Sequence, residues 1–166
     1  MLFLSMTHLE LTQWAVDNSV AFELRLDLFP SLDLELLQRF LQNSTRPVML
    51  TLRRASQGGG FQGGEPERET LIKQLLSLDP HFFDLEYDMR PEFLSEVLKS
   101  HPKTQFILSY HNFQKIPENL VEIYRAMAKY PVFSYKIAAM THSTNDALKM
   151  LIFAKKHPKT SVICMG

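Results

Sequence analysis

The sequence predicts an α/β domain built on a parallel β-sheet, and three observations support this class. Short, almost continuously apolar runs recur along the chain, as expected for strands that are buried on both faces. Longer stretches with apolar residues at helical spacing separate these runs. A proline stands just before five of the runs, where a preceding helix must have ended. This alternation predicts a parallel sheet that is either doubly wound or closed into a barrel.

Seven runs are the predicted strands, joined by six crossovers in which helical patterns recur. The strands are 2–6, 21–26, 48–52, 82–86, 105–110, 132–138 and 161–165, and the helical patterns are 32–41, 67–76, 93–98, 120–127 and 145–156. Asp33 is the predicted N-cap of the first helical pattern, and Thr144 or Asn145 that of the last. Because no linker separates these units, residues 1–166 are expected to form one domain.

The composition indicates a folded protein of balanced charge. With 166 residues, of which 45% are hydrophobic, the chain is long enough for one core. Its 18 basic and 18 acidic residues argue against a nucleic-acid partner, and no apolar run approaches the roughly 20 residues of a membrane span. The single cysteine, Cys164, leaves no disulfide framework and favours a cytoplasmic setting. The histidines have no ligand spacing, so no metal site is predicted.

Polar residues gather at the ends of the predicted strands. In chain order they are Ser5, Glu23, Arg25, Arg53, Asp84, Glu86, Ser109, His111 and Lys136. In parallel α/β folds ligands bind at the carboxyl ends of the strands. The pattern therefore predicts that these side chains meet in one site.

Lys136 and His111 are the residues best suited to chemistry. A lysine on a strand often reaches solvent with its ammonium, but the neighbours of Lys136 are apolar. Desolvation there would favour the neutral amine, which attacks carbonyl groups. His111 is either a hydrogen-bonded structural histidine or a general acid/base.

Two further segments allow more than one interpretation. If the second strand continues through residue 27, the side chains of Glu23, Arg25 and Asp27 lie on one face of it. Asp27 then has either an active-site role or a place in a buried ion pair. The glycines of 58–64 fit neither a phosphate-binding loop nor a dinucleotide fingerprint, so we expect a mobile lid or loop.

Five segments together resemble the type I 3-dehydroquinate dehydratases. They are 23–27 (ELRLD), 51–55 (TLRRA) with the glycines that follow, 84–86 (DLE), 109–113 (SYHNF) with Lys115 and Pro117, and 136–140 (KIAAM), in the family's order. The resemblance implies a TIM-type (β/α)8 barrel that works without metal or cofactor. It also implies that this chain is truncated after the seventh strand, with the last βα units absent.

The resemblance further implies roles for individual residues in converting 3-dehydroquinate to 3-dehydroshikimate. Lys136 corresponds to the imine-forming lysine and His111 to the general acid/base. Ser5, Glu23, Arg25 and Arg53 correspond to substrate-binding positions, and Gln57, Asp84 and Glu86 are supporting residues. Gln57 stands where the family usually has a glutamate that pairs with the histidine.

Two other interpretations stay open at this point. One is another imine-forming barrel lyase, similar to a class I aldolase; the other is an inactive, truncated barrel that acts only by associating with a partner. For the dehydratase, the expected partners are the small-molecule substrate, a second copy in a homodimer, and a shikimate dehydrogenase domain fused in a longer product.

Overall fold

The computed structural model describes residues 2–9 and 20–166, and its sheet is parallel throughout these residues. The strands are β1 (Phe3–Met6), β2 (Ala21–Arg25), β3 (Val48–Thr51), β4 (Phe82–Glu86), β5 (Gln105–Asn112), β6 (Ser134–Met140) and β7 (Thr160–Met165). They pair in chain order from β1 to β7, which confirms the predicted βα alternation. The crossover between β1 and β2 lies largely outside the described residues.

Five α-helices fill the other crossovers on the outside of the sheet. They are α1 (Leu34–Asn43), α2 (Glu65–Leu76), α3 (Pro91–Ser100), α4 (Leu120–Met127) and α5 (Thr144–Lys156). In the described part of the chain, no helix is both long and apolar enough to cross a membrane.

The predicted N-cap is confirmed for α1 and wrong for α5. The carboxylate of Asp33 accepts a hydrogen bond of 3.0 Å from the backbone N–H of Leu36. At α5 the cap is Ser143, whose hydroxyl accepts from the backbone N–H of Asp146 at 3.2 Å. Ser143 has an extended backbone (φ −155°, ψ 160°), whereas Thr144 is already helical.

The sheet curls strongly, and a contact between β2 and β6 demonstrates it. These strands are four places apart, which in a flat sheet would separate them by roughly 19 Å. The Nζ atom of Lys136 on β6 nevertheless lies 3.6 Å from Oε1 of Glu23 on β2. The inward faces of the strands therefore enclose a common interior, as in a barrel.

Apolar residues pack on both faces of this curled sheet. The outward residues of the strands pack against the helices in one large core, to which Leu24, Leu50 and Leu108 belong, all fully buried. A smaller inner cluster of Met49, Phe82 and Ile107, with Phe3 against it, lies on the inward face. This inner cluster occupies the amino end of the strands, so the polar inward residues lie at the carboxyl end.

Candidate active site

Lys136 lies among acidic side chains on the inward face. Its Nζ atom is 3.4 Å from Oδ2 of Asp84 and 3.6 Å from Oε1 of Glu23. The lysine side chain is 17% exposed, while the two carboxylates are buried. The ammonium therefore sits at the boundary between a buried charge network and the open end of the barrel.

Glu23 is fixed by two hydroxyl groups as well as by Lys136. The hydroxyl of Ser5 donates to Oε2, and that of Thr51 donates to Oε1 at 2.9 Å. All three neighbours lie on different strands, so the carboxylate has little freedom to rotate. Thr51 was not among the predicted site residues, although it belongs to the TLRRA segment.

Arg53, which follows β3, connects the acidic residues to the histidine. Its Nη2 atom forms an ion pair of 2.8 Å with Oδ1 of Asp84. Its Nη1 atom donates to the hydroxyl of Ser109 at 2.9 Å and lies 3.1 Å from Nδ1 of His111. The same Nη1 atom is 4.0 Å from Glu86. With an exposed fraction of 3%, this arginine is part of the wall of the site.

The charge distribution sets the protonation of two site residues. Burial, followed by the positive charge of Arg53, lowers the pKa of His111 from 6.5 to about 3, so its ring is neutral at pH 7. Burial opposes the ionisation of Asp84, but the charges of Arg53 and Lys136 outweigh it and lower the pKa of this carboxyl well below its usual range. A neutral base and a buried carboxylate therefore lie side by side.

Glu86 links the site to helix α2 through Arg68, a residue that is not among those predicted for the site. Oε2 of Glu86 accepts from Nη1 of Arg68 at 2.6 Å, and Oε1 accepts from the backbone N–H of Arg54 at 3.2 Å. Arg68 has no exposed side-chain surface. Its spacing of three, four and seven residues from Leu71, Ile72 and Leu75 was a signal that it lies on the buried helix face.

Arg25 lines the site but is held by its neighbour Asp27. Its Nε and Nη2 atoms donate to the Asp27 carboxylate at 3.0 and 2.7 Å. Since β2 ends at Arg25, Asp27 lies in a 3-10 turn, so the expectation that the strand continues through it is wrong. The buried ion pair weighed as the alternative for Asp27 is the arrangement found.

The glycine segment packs closely against this part of the site. Asp27 accepts a hydrogen bond of 2.9 Å from the backbone N–H of Gly60. A Cβ atom at Gly59 would lie 2.0 Å from the carbonyl oxygen of Arg53, so only glycine fits there. Gly58 has φ 75° and lies against the ring of Phe113. The segment is a tightly packed loop, and its mobility stays a prediction.

A cavity of about 250 Å³ opens where these side chains meet. Seven predicted site residues line it: Ser5, Glu23, Arg25, Arg53, Gln57, His111 and Lys136. Asp84 and Glu86 lie behind this lining, buried at 3% and 1% exposure. Phe113, Ile163 and Met165, which are not among the predicted site residues, add apolar surface to the lining. Within residues 2–9 and 20–166, no group of three or more His, Cys, Asp or Glu residues is arranged to hold a metal ion.

Comparison with known proteins gives consistent matches. The family model for type I 3-dehydroquinase matches residues 5–166. A curated relative, the 3-dehydroquinate dehydratase of Dehalococcoides mccartyi, is 31% identical over 153 residues, which are 90% of this chain and 66% of that protein. The chain thus spans about two thirds of the length of this relative.

Two solved structures share the fold. The 3-dehydroquinate dehydratase of Enterococcus faecalis superposes with a TM-score of 0.86 at 21% identity, over 99% of this chain and 79% of that one. The dehydroquinate dehydratase and shikimate dehydrogenase of S. pombe AroM superposes with a TM-score of 0.84 at 19% identity, over 99% of this chain and 36% of that one.

Proposed function

Because the chain belongs to the type I 3-dehydroquinase family, we propose that it is a 3-dehydroquinate dehydratase, a carbon–oxygen lyase of the shikimate pathway. The reaction removes water from 3-dehydroquinate to give 3-dehydroshikimate. The observation that carries the proposal is the position of Lys136, whose amine borders a cavity that also contains the neutral His111. No cofactor is required for this chemistry.

Lys136 forms the covalent intermediate. The amine attacks the substrate ketone, and two protons of the original ammonium leave with the ketone oxygen as one water, which gives an iminium ion that draws electrons from the neighbouring carbon. Glu23 and Asp84, each within 4 Å of Nζ, are placed to balance the positive charge before and after attack. Hydrolysis of the product imine consumes one water and restores the lysine.

His111 moves the proton between these two covalent steps. Its neutral ring removes a proton from the carbon beside the iminium and then delivers a proton to the departing hydroxyl group. The low pKa keeps the ring in its unprotonated form at neutral pH, the form that can accept the proton. A single histidine acting twice implies that proton and hydroxyl leave from the same face.

The remaining polar residues bind and orient the substrate. Ser5, Glu23, Arg25 and Arg53 line the cavity, and their role is to hold the hydroxyl groups of the substrate ring in reacting geometry. Of the three guanidinium nitrogens of Arg25, Asp27 engages Nε and Nη2, which leaves Nη1 to bind a substrate oxygen. Gln57, Asp84 and Glu86 support this set.

The wider setting is also part of the proposal. Residues 1–166 form a single barrel domain, cytoplasmic and free of nucleic-acid or membrane partners, which acts alone, as a homodimer, or fused to a shikimate dehydrogenase domain as in S. pombe AroM. Family membership favours this activity over the aldolase-like alternative.

Trapping of the imine tests the proposal directly. The protein is incubated with 3-dehydroquinate and sodium borohydride, and its peptides are analysed by mass spectrometry. We expect the mass of the reduced ligand on Lys136, no adduct in Lys136→Ala, and an unchanged adduct in Lys115→Ala, which changes an exposed lysine paired with Glu118. An adduct elsewhere would refute the assignment, and no adduct would favour the inactive fragment.

A second variant separates the two chemical roles. His111→Ala keeps the nucleophile, so trapping at Lys136 should persist. The rate of dehydration should fall by a factor of about 10² to 10⁴ or more, since one general acid/base group usually contributes a factor in this range. Retention of most of the activity would remove His111 from the mechanism.

A further inference from the structure

The Gln57 amide lies between His111 and a carboxylate that does not line the cavity, Asp88. Gln57 ends the 3-10 turn after β3 and is buried, with 5% of its surface exposed. Its Oε1 atom is 3.2 Å from the backbone N of His111 and 3.3 Å from the ring Nδ1. Its Nε2 atom donates to Oδ1 of Asp88 at 3.1 Å. Asp88 follows β4 and also binds the guanidinium of Arg54.

These contacts fix which way the amide points. The backbone N–H of His111 can only donate, so it requires the amide oxygen on its side. The Asp88 carboxylate can only accept, so it requires the NH₂ group on the other side. Both requirements are met by one orientation of Gln57, and reversal would leave a buried donor facing a donor.

The Nδ1 atom of His111 has two neighbours that demand opposite tautomers. The oxygen of Gln57 can accept a proton from Nδ1–H, which leaves a lone pair on Nε2. The Nη1 atom of Arg53, 3.1 Å away, can donate only to a lone pair on Nδ1, which would put the proton on Nε2. Arg53 has another acceptor for the same nitrogen, the hydroxyl of Ser109 at 2.9 Å. The contact with Gln57 can therefore prevail without leaving Arg53 unpaired.

We propose that Asp88 is a positioning residue that acts through the Gln57 amide to hold His111 with its proton on Nδ1. Nε2 has no hydrogen-bond partner within residues 2–9 and 20–166, so its lone pair is then the free base of the ring. The importance of this tautomer for catalysis rests on the proposed dehydratase function, because that reaction begins with proton removal by His111. The tautomer itself is a property of the unliganded protein.

The primary test measures the tautomer without substrate. The full chain is labelled with ¹⁵N-histidine, and His111 is assigned by the signals lost in His111→Gln. We expect the ring ¹⁵N shifts of the parent protein at pH 7 to show the proton on Nδ1. Gln57→Leu removes the acceptor and should change the ratio of the two tautomers toward Nε2–H by about fivefold or more, the factor of one ordinary hydrogen bond.

Variants at Asp88 test the positioning role. Asp88→Ala should shift the tautomer ratio toward Nε2–H, whereas Asp88→Asn keeps an acceptor oxygen and should restore the parent ratio. Glu118→Gln, which removes an exposed carboxylate paired with Lys115, is the matched control and should change nothing. A parent protein with its proton on Nε2, or an Asp88→Ala variant with the parent ratio and a parent-like thermal melt, would overturn the proposal.

Kinetics then separate this inference from the proposed function. Asp88 does not line the cavity, so Asp88→Ala should lower kcat for 3-dehydroquinate dehydration and leave KM unchanged, with recovery in Asp88→Asn. A raised KM with unchanged kcat would contradict the positioning role. If the parent protein has no dehydratase activity, the proposed function fails, while the ring ¹⁵N shifts still decide whether Asp88 sets the tautomer.

Discussion

Acidification from pH 7 to pH 5 should destabilise the protein through His111. Burial and the charge of Arg53 lower the pKa of this ring from 6.5 to about 3 in the folded state. A histidine whose pKa is lower in the folded state binds protons more readily when the chain is unfolded. The contribution of the neutral His111 ring to the free energy of unfolding is therefore complete above pH 6.5 and is lost as the pH falls toward 3.

The expected magnitude follows from the proton uptake of the unfolded chain. At pH 5 the unfolded histidine is almost fully protonated, whereas the folded one is still neutral. Integrating the difference from pH 7 gives a loss of about 2 kcal/mol in the free energy of unfolding. Because pH 5 lies well above the folded pKa, this loss depends almost entirely on the unfolded pKa.

Urea unfolding at both pH values measures this loss. His111→Gln carries a side chain that does not titrate, so the parent should lose about 2 kcal/mol more than this variant between pH 7 and pH 5. Equal losses in the parent and in His111→Gln would show that the ring is not held neutral by the fold.

Two further predictions concern the structure around the site. Arg68→Met leaves Glu86 buried without its 2.6 Å partner and should cost about 3–5 kcal/mol of unfolding free energy in urea. The control Lys73→Ala breaks an exposed ion pair and should cost at most about 1 kcal/mol in the same assay. A similarly small cost for both variants would contradict the buried role of Arg68. Gly59→Ala places a Cβ atom 2.0 Å from a backbone carbonyl oxygen and should lower both the melting temperature and the activity. In the control Gly64→Ala, the new Cβ atom meets nothing closer than 3.7 Å, so neither quantity should fall. A Gly59→Ala variant with the parent's melting temperature and activity would show that this loop can move aside.

The strands, and most of the side chains that line the cavity, could be predicted from the sequence for a simple physical reason. Strands buried on both faces leave a strong apolar signal, and a polar residue such as Lys136 within one is conspicuous. Because the carboxyl ends of parallel strands share one edge, polar strand ends meet whatever the details of packing. Local patterns were sufficient for both inferences.

Other features depend on geometry that no local pattern contains. The cap of α5 is Ser143 rather than Thr144 because of backbone angles that are set when the β6–α5 loop packs. Asp27 turns back onto Arg25 because β2 ends earlier than its alternating pattern indicates. The contact of Asp88 with Gln57 joins two loops that come together only after the sheet has curled.

The ion pair between Glu23 and Lys136 also has a consequence for how the chain folds. The two residues are 113 positions apart in the sequence, so their contact closes a very long loop and forms late. A partly folded sheet without β6 lacks the cation that lies against the Glu23 carboxylate, so this ion pair stabilises only states that contain both strands. The charges that serve the site therefore also favour assembly of the sheet from β2 through to β6.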